Sequence, residues 1–526
     1  MRSLTESLKA VDLGSSEEES DASEEEEDSV TSDTDMEEEE TPPAYAYPDD
    51  GECPPFVLIH QEAYFAQRHN ATTATVTVTA VGSKLEGSTI TVTFCPAAPP
   101  LVSYLCFHAT GIDQTKFACN PQIIATETNG GLVLLRVIVG RPSSAVLTIN
   151  GEYFIYDARA AKLDHLPHPG QQHEFNDYTV AIVRKCNKHC QRTTTTTTSR
   201  HHDSAGFSLR PCHLAPHGHG HGHDHDQGPA RQEHHHDCTY VIAAQPRHFG
   251  CPRTSHICMY HSDTNTWSKK PVVLLKSHPR NQTSKTLAIG GHKGTVAWVD
   301  LWQSIIFCNV LDKEPELSCL KLPNKPIMPK KAVGFGNPTC IRDIAVVGNF
   351  IKFVDMYAHF DGSSKTPSHW KAATWSIRTG SFSSEDWTRD HRINSTQIPP
   401  QPLLLHKLKV DAGIKAADPT FSTLHVGLPR LSLQDDDIVY FLAKIDYRRH
   451  AAWVLALDMG NMLVKEVVPF DANRTLGLAR WYDASRISAY LKPALDPNRI
   501  LKRQGTLLLK SPSKKHTGDD AMLINL

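Results

Sequence analysis

No apolar run in this sequence of 526 residues approaches the roughly 18 residues that a membrane-spanning helix needs, so no transmembrane segment is expected. The first 14 residues lack the apolar core of a secretory leader and run straight into acid, which also sets them apart from acid-poor transit peptides. The expected compartment is therefore cytosol or nucleus. Cysteine is present, 13 residues in all, but the count is odd and the spread from Cys53 to Cys340 is not the dense framework of a small secreted domain. Reduced thiols, mostly buried as small hydrophobes, are the expectation. The sequons at Asn70, Asn281, Asn394 and Asn473 should then stay unmodified, because glycosylation needs the secretory route.

Catalytic signatures are missing as well. There is no P-loop, no nucleophile elbow, no H-E-x-x-H and no dinucleotide-binding glycine pattern behind a strand. Helical periodicity is scarce, and residues 483–491 are the clearest candidate for a short helix, with a loop turn as the alternative. Basic residues are absent from residues 17–40, which hold 15 acidic ones. Such a block cannot offset its conformational entropy by burial, so residues 1–53 are read as a disordered acidic tail. Ser15, Ser16 and Ser23 each have Glu three residues on, a pattern that acidophilic kinases favour. The overall charge of -4 hides this polarity: without residues 1–40 the chain has 52 Lys and Arg against 41 Asp and Glu, about +11.

What the sequence does have is strand signal. Residues 74–80 (ATVTVTA) and 88–94 (STITVTF) are rich in β-branched side chains and flank the turn-prone residues 82–87, which predicts a hairpin. Residues 123–128 and 132–139 repeat the design around Asn129, Gly130 and Gly131, where the positive backbone angles of a tight turn are easily adopted. A degenerate unit then recurs. Residues 153–156 are followed by Asp157, Leu163, Leu166 and Pro167; residues 305–311 by Asp312, Leu317, Leu322 and Pro323; residues 453–457 by Asp458, Leu463, Val468 and Pro469. Two shortened copies run from Tyr260 to Trp267 and from Trp375 to Trp387. Each unit reads as a strand, a turn anchored by Asp, and a second strand that proline ends.

Repeated units of this kind, with tryptophan, predict an all-β body resembling a β-propeller, while their irregular spacing leaves a twisted β-sandwich pair open. The body is expected over residues 54–184 and 239–497, interrupted by a Thr- and His-rich insertion at 185–238 and followed by a basic flexible tail at 498–526. Both parts should be needed for one body, since the units occur in each.

The densest patterning lies in residues 294–323 (GTVAWVDLWQSIIFCNVLDKEPELSCLKLP), where Trp298 and Trp302 bracket Asp300 in one apolar run and a second run leads to Asp312 and on to Pro323. This stretch resembles the signature of a plant family, numerous in grasses, known as domain of unknown function 1618, with a looser match over residues 54–491. The resemblance implies a fold similar to kelch-like and F-box-associated β-propellers, although no F-box pattern precedes it. It implies no chemistry, because that family is itself uncharacterised.

Ligand potential is concentrated in the insertion. His217, His219, His221, His223 and His225 alternate with Gly or Asp, and His201, His202, His213, His234, His235 and His236 lie nearby, 11 of the chain's 30 histidines. Neutral imidazoles suit Zn and Ni, and a cluster of them gains charge on mild acidification. Glycine spacers leave such ligands unorganised, so adventitious or buffering metal binding is expected rather than a required site, and no other cofactor is expected. Cys186 and Cys190, with Cys212 and Cys238 further on, have no second matched pair at fixed spacing and read as loop thiols. Asp435, Asp436 and Asp437 read as a solvated turn before a strand, and residues 334–338 (GFGNP) as a turn rather than a phosphate loop. Trp298, Trp302, Trp375, Trp387 and Trp453 are assigned to the core.

The functional expectation is a non-enzymatic scaffold that binds a protein partner through surface loops. The alternatives are an enzyme whose residues converge only in three dimensions, or a metal buffer acting through the His-rich tract. No basic and aromatic module of a known type points to nucleic acid.

Overall fold

Residues 41–44, 53–141, 151–185, 239–246, 256–273, 282–323, 327, 336–411, 419–447, 451–471 and 482–491 are described by a computed structural model, apart from Asn129, Ser363 and Phe382 within them. They form six β-sheets arranged as the blades of a propeller. Blade 1 contains β1 (Val57–His60), β2 (Tyr64–Phe65), β3 (Ala74–Thr77), β4 (Thr89–Cys95) and β5 (Val102–Thr110). Blade 2 is β6 (Gln122–Thr126), β7 (Leu132–Ile138), β8 (Gly151–Asp157) and β9 (Lys162–Leu166). Blade 3 is β10 (Ala181–Lys185), β11 (Thr239–Ala244), β12 (His256–His261) and β13 (Thr266–Pro271). Blade 4 is β14 (Lys285–Gly290), β15 (Thr295–Asp300), β16 (Ser304–Asn309) and β17 (Leu317–Lys321). Blade 5 is β18 (Arg342–Val347), β19 (Phe350–His359), β20 (His369–Arg378) and β21 (Thr388–Asn394). Blade 6 is β22 (His425–Leu431), β23 (Ile438–Lys444), β24 (Ala451–Asp458) and β25 (Leu463–Asp471).

The chain then returns to blade 1. Its last described strand, β26 (Tyr482–Ser485), pairs antiparallel with β1 from Val57↔Ser485 to His60↔Tyr482, and β1 in turn pairs parallel with β5. Successive first strands touch one another around the axis: β10 meets β6 and β14, β18 meets β14 and β22, and β22 meets β26. Blade 1 is thus built from both sequence ends of the ring.

Alternation explains why these strands read as apolar runs. Side chains on a strand point to opposite faces, and both faces of a blade pack on a neighbour. On β7, Val133, Leu135 and Val137 join the core shared with blade 1, whereas Leu132 and Leu134 join the core shared with blade 3. On β23, Val439, Phe441 and Ala443 face blade 5, and Tyr440 and Leu442 face blade 1.

All five degenerate units of the sequence fall on one kind of hairpin, the third and fourth strands of blades 2 to 6. The Asp anchor works as expected in two of them: Asp157 Oδ1 accepts from the amides of Arg159 and Ala160, and Asp458 Oδ1 from that of Asn461. Pro167 and Pro323 follow their strands, but Pro469 lies inside β25 opposite Trp453. An outer strand leaves the missing amide facing away from the sheet, so proline is tolerated there.

The helical expectation needs correction. Residues 483–491 are a strand, β26, followed by one 3-10 turn (Ile487–Tyr490). Among the described residues there is also an α-helix of ten residues, α1 (Pro402–Asp411), for which the sequence gives no expectation. It opens on proline, which is pre-organised for a first helical position. Leu405 and Leu408 are buried while Leu403 and Val410 are exposed, so its apolar residues surround the axis and leave no periodic stripe to read.

Candidate functional site

The first strands bring ionisable side chains together across the axis. Lys285 stands at the start of β14, Asp343 on β18, Arg430 on β22 and Asp483 on β26, so blades 4, 5, 6 and 1 each supply one residue. Lys285 Nζ donates to Asp343 Oδ1 at 2.6 Å and to Asp483 Oδ1 at 2.8 Å. Arg430 Nε donates to the Tyr482 carbonyl at 2.9 Å and lies 3.5 Å from Asp483 Oδ1. Asp343 Oδ2 accepts from the Leu431 amide at 3.1 Å. Arg430 follows a bulge in β22 between Gly427 and Arg430, with Leu428 at a φ of 49°. Burial opposes the charge on Arg430, but Asp343 and Asp483 outweigh it and hold the guanidinium protonated above its ordinary value.

A second cluster involves the inner strands β6 and β10 and the segment after β26. Glu127, just beyond β6, accepts from Arg184 of β10 at 2.6 and 3.0 Å, and burial pushes its carboxyl up in spite of that partner. Arg486, just beyond β26, donates to the Val346 carbonyl of blade 5 and the Leu433 carbonyl of blade 6 at 3.4 and 2.6 Å. The Tyr490 phenol is pushed up by burial and then by the charge of Glu127. The short segment after β26 therefore reaches blades 5 and 6 through Arg486 and the Glu127–Arg184 pair through Tyr490. In the first cluster two carboxylates face two cations, and in the second Glu127 faces Arg184 while Arg486 is held by backbone carbonyls; both clusters link side chains of different blades.

The signature residues sit between blades. Trp298 is fully buried, and its Nε1 donates to the Thr179 carbonyl at 2.7 Å, linking blade 4 to the start of blade 3. Asp300 caps the β15–β16 turn through the Trp302 amide at 2.8 Å and also accepts from the Gln282 amide at 3.2 Å; burial raises its pKa. Trp302 is only half-buried. The Arg342 guanidinium, itself buried and paired with Asp355 at 3.1 Å, lies 4.9 Å from the Trp302 ring centroid. Asp312 makes a long surface contact with Lys293 at 3.6 Å, and Pro323 follows β17. Trp375 and Trp453 are buried, while Trp387 is partly exposed, with Nε1 donating to the Lys321 carbonyl.

The acidic triplet is an exposed turn before β23 with definite partners: Asp436 Oδ1 lies 2.9 Å from Lys352 Nζ and Asp437 Oδ1 lies 2.7 Å from His391 Nε2, both on blade 5. Asn337 caps a 3-10 turn (Pro338–Cys340), as suits a turn rather than a phosphate loop. His217, His219, His221, His223, His225, His234, His235 and His236, with Cys186, Cys190, Cys212 and Cys238, lie outside the described residues. Among the described residues no group of three or more His, Cys, Asp or Glu is placed to hold a metal ion. No helix among them is long and apolar enough to cross a membrane.

The axial residues were missed by sequence reasoning, because Lys285 and Asp483 are 198 positions apart. The bulge before Arg430 had a local signal in Pro429, since proline inside a strand marks an irregularity.

A family described as "Protein of unknown function (DUF1618)" matches residues 298–440, from Trp298 on β15 to Tyr440 on β23. No curated protein matches the chain. Among solved structures, the Cps50 (Swd1) β-propeller domain of Myceliophteria thermophila aligns with a TM-score of 0.25 and 8% identity over 66% of this chain and 89% of that one. Hydrazine synthase of Kuenenia stuttgartiensis aligns at 0.25 and 9% identity over 65% of each chain. The dihydro-heme d1 dehydrogenase NirN in complex with DHE aligns at 0.20 and 8% identity over 48% of this chain and 38% of that one.

Proposed function

We propose that this chain is a non-enzymatic scaffold that holds a protein partner against the outside of its ring, and that its body as a whole belongs to the family whose model matches residues 298–440. The observation that carries the reading is α1. Leu405 and Leu408 root the helix in the core of blades 5 and 6, while Leu403 is 88% and Val410 62% exposed seven positions apart, on one outward face. Exposed apolar side chains on a rooted helix favour a partner with an apolar surface. The pairing of the axial carboxylates with Lys285 and Arg430 supports the same reading, because it assigns those charges to blade cohesion.

The test is an affinity pull-down from source tissue with the intact chain, the Leu403→Glu/Val410→Glu variant, and forms lacking residues 1–40 or 188–236. A protein captured in stoichiometric amount by the intact chain should be lost at least about tenfold by the double variant, with no change in thermal midpoint, since a few central side chains dominate an interface. Undiminished capture by the double variant defeats α1 as the binding element.

A further inference from the structure

We propose that Cys95 and Cys106 of blade 1 form a reversible disulfide when the protein meets a hydroperoxide, with Cys95 as the attacking thiol. The placement follows from strand register. On the antiparallel pair β4–β5, Cys95 stands opposite Tyr104 and Thr93 opposite Cys106, so the two cysteines are diagonal neighbours on one face. The same face receives Tyr64, which stands opposite Cys106 across β2–β5, and these four side chains form a small core separate from the larger ones. Cys95 is 7% and Cys106 1% exposed.

The surroundings distinguish the two sulfurs. The Arg68 guanidinium lies 5.6 Å from the Tyr104 ring centroid and donates to the Pro42 carbonyl at 3.3 Å; the Tyr104 hydroxyl donates to the Pro43 carbonyl. Donation from the Cys106 thiol holds the Cys95 thiol below its ordinary range, helped by Tyr104 and the Arg68 charge against the opposing effect of burial. The same contact and burial push Cys106 up. An attacking thiol is favoured by thiolate character, and a neighbouring protonated thiol serves as the resolving group. Other buried thiols lack this arrangement: burial alone leads the upward shift of Cys258 to about 11 and of Cys308 to about 12.

The chemistry balances. The Cys95 thiolate attacks one oxygen of hydrogen peroxide, the O–O bond breaks, hydroxide leaves and takes a proton, and Cys95 becomes a sulfenic acid. The Cys106 sulfur then attacks the Cys95 sulfur, the S–O bond breaks, and a second water leaves with the Cys106 proton. Two thiols lose two electrons and two protons, and one peroxide becomes two waters. Diagonal partners on adjacent strands stand about 7 Å apart at Cα, beyond the usual span of a disulfide, so the two strands must close slightly for the bond to form.

The experiment uses the full chain, treated with hydrogen peroxide near neutral pH, alkylated, digested and analysed by mass spectrometry. The expected product links the peptides of Cys95 and Cys106 with loss of two hydrogens, is reversed by dithiothreitol, and forms at least about tenfold faster than Cys258 or Cys308 becomes blocked to alkylation. In Cys106→Ser the expectation is a sulfenic acid on Cys95 trapped by dimedone; in Cys95→Ser, Cys106 stays reduced. The proposal is overturned if the intact chain keeps both thiols alkylatable while Cys258 or Cys308 is consumed, or if Cys95 is found linked to another cysteine. The measurement on the intact chain decides the matter even if a variant fails to fold.

Discussion

His425 is where the chemistry of one residue should be visible in the stability of the whole protein. It opens β22, is 7% exposed, and packs against Tyr447 and Phe360 at ring separations of 5.3 and 6.3 Å. Its Nδ1 has no hydrogen-bond partner among the described residues, and burial pushes its pKa down from 6.5 to about 4. Lys444, opposite it on β23, is likewise pushed down by burial, to about 8. Native His425 therefore stays neutral where the unfolded chain takes up a proton, so its contribution is intact above pH 6.5 and is lost as pH falls toward 4. Over that window the loss should be about 3 kcal/mol. His425→Phe, which keeps the ring and removes the proton site, should flatten the dependence of the thermal midpoint across that window. An equally steep acid loss in the variant would move the cause to other groups.

At the scale of elements, the β15–β16 hairpin separates two tryptophans that look alike in sequence. Trp298→Ala empties a fully buried site between blades 3 and 4 and leaves the Thr179 carbonyl without its indole donor. It should destabilise by about 3 to 5 kcal/mol in denaturant unfolding. Trp302→Ala removes a half-buried ring from the Arg342 guanidinium, a smaller change of about 1 to 2 kcal/mol. Equal losses would show that Trp302 fills a core site after all. The same hairpin shows how much was legible. Strand and turn chemistry is local, so the third and fourth strands of blades 2 and 6 could be read from Asp157, Asp458 and their apolar neighbours. Pairing around the axis is not local: nothing near Lys285 announces Asp483, and the helix after Pro402 lacks the periodic stripe that marks most surface helices.

For the whole molecule, the central claim is a ring that neither part completes alone. Residues 239–497 contain β11 to β26 but lack β10, the partner of β11 along Ala181↔Ala243, and β1, the partner of β26. Without residues 54–184, Ile242, Ala244 and Tyr260 would lose their cover from blade 2, and Tyr440, Leu442 and Val454 theirs from blade 1. Two large apolar faces open to water are incompatible with a stable isolated body. The direct measurement is calorimetry of residues 239–497 beside the full chain. The account predicts no cooperative transition for the fragment; a monomeric fragment unfolding cooperatively at the midpoint of the full chain would contradict it.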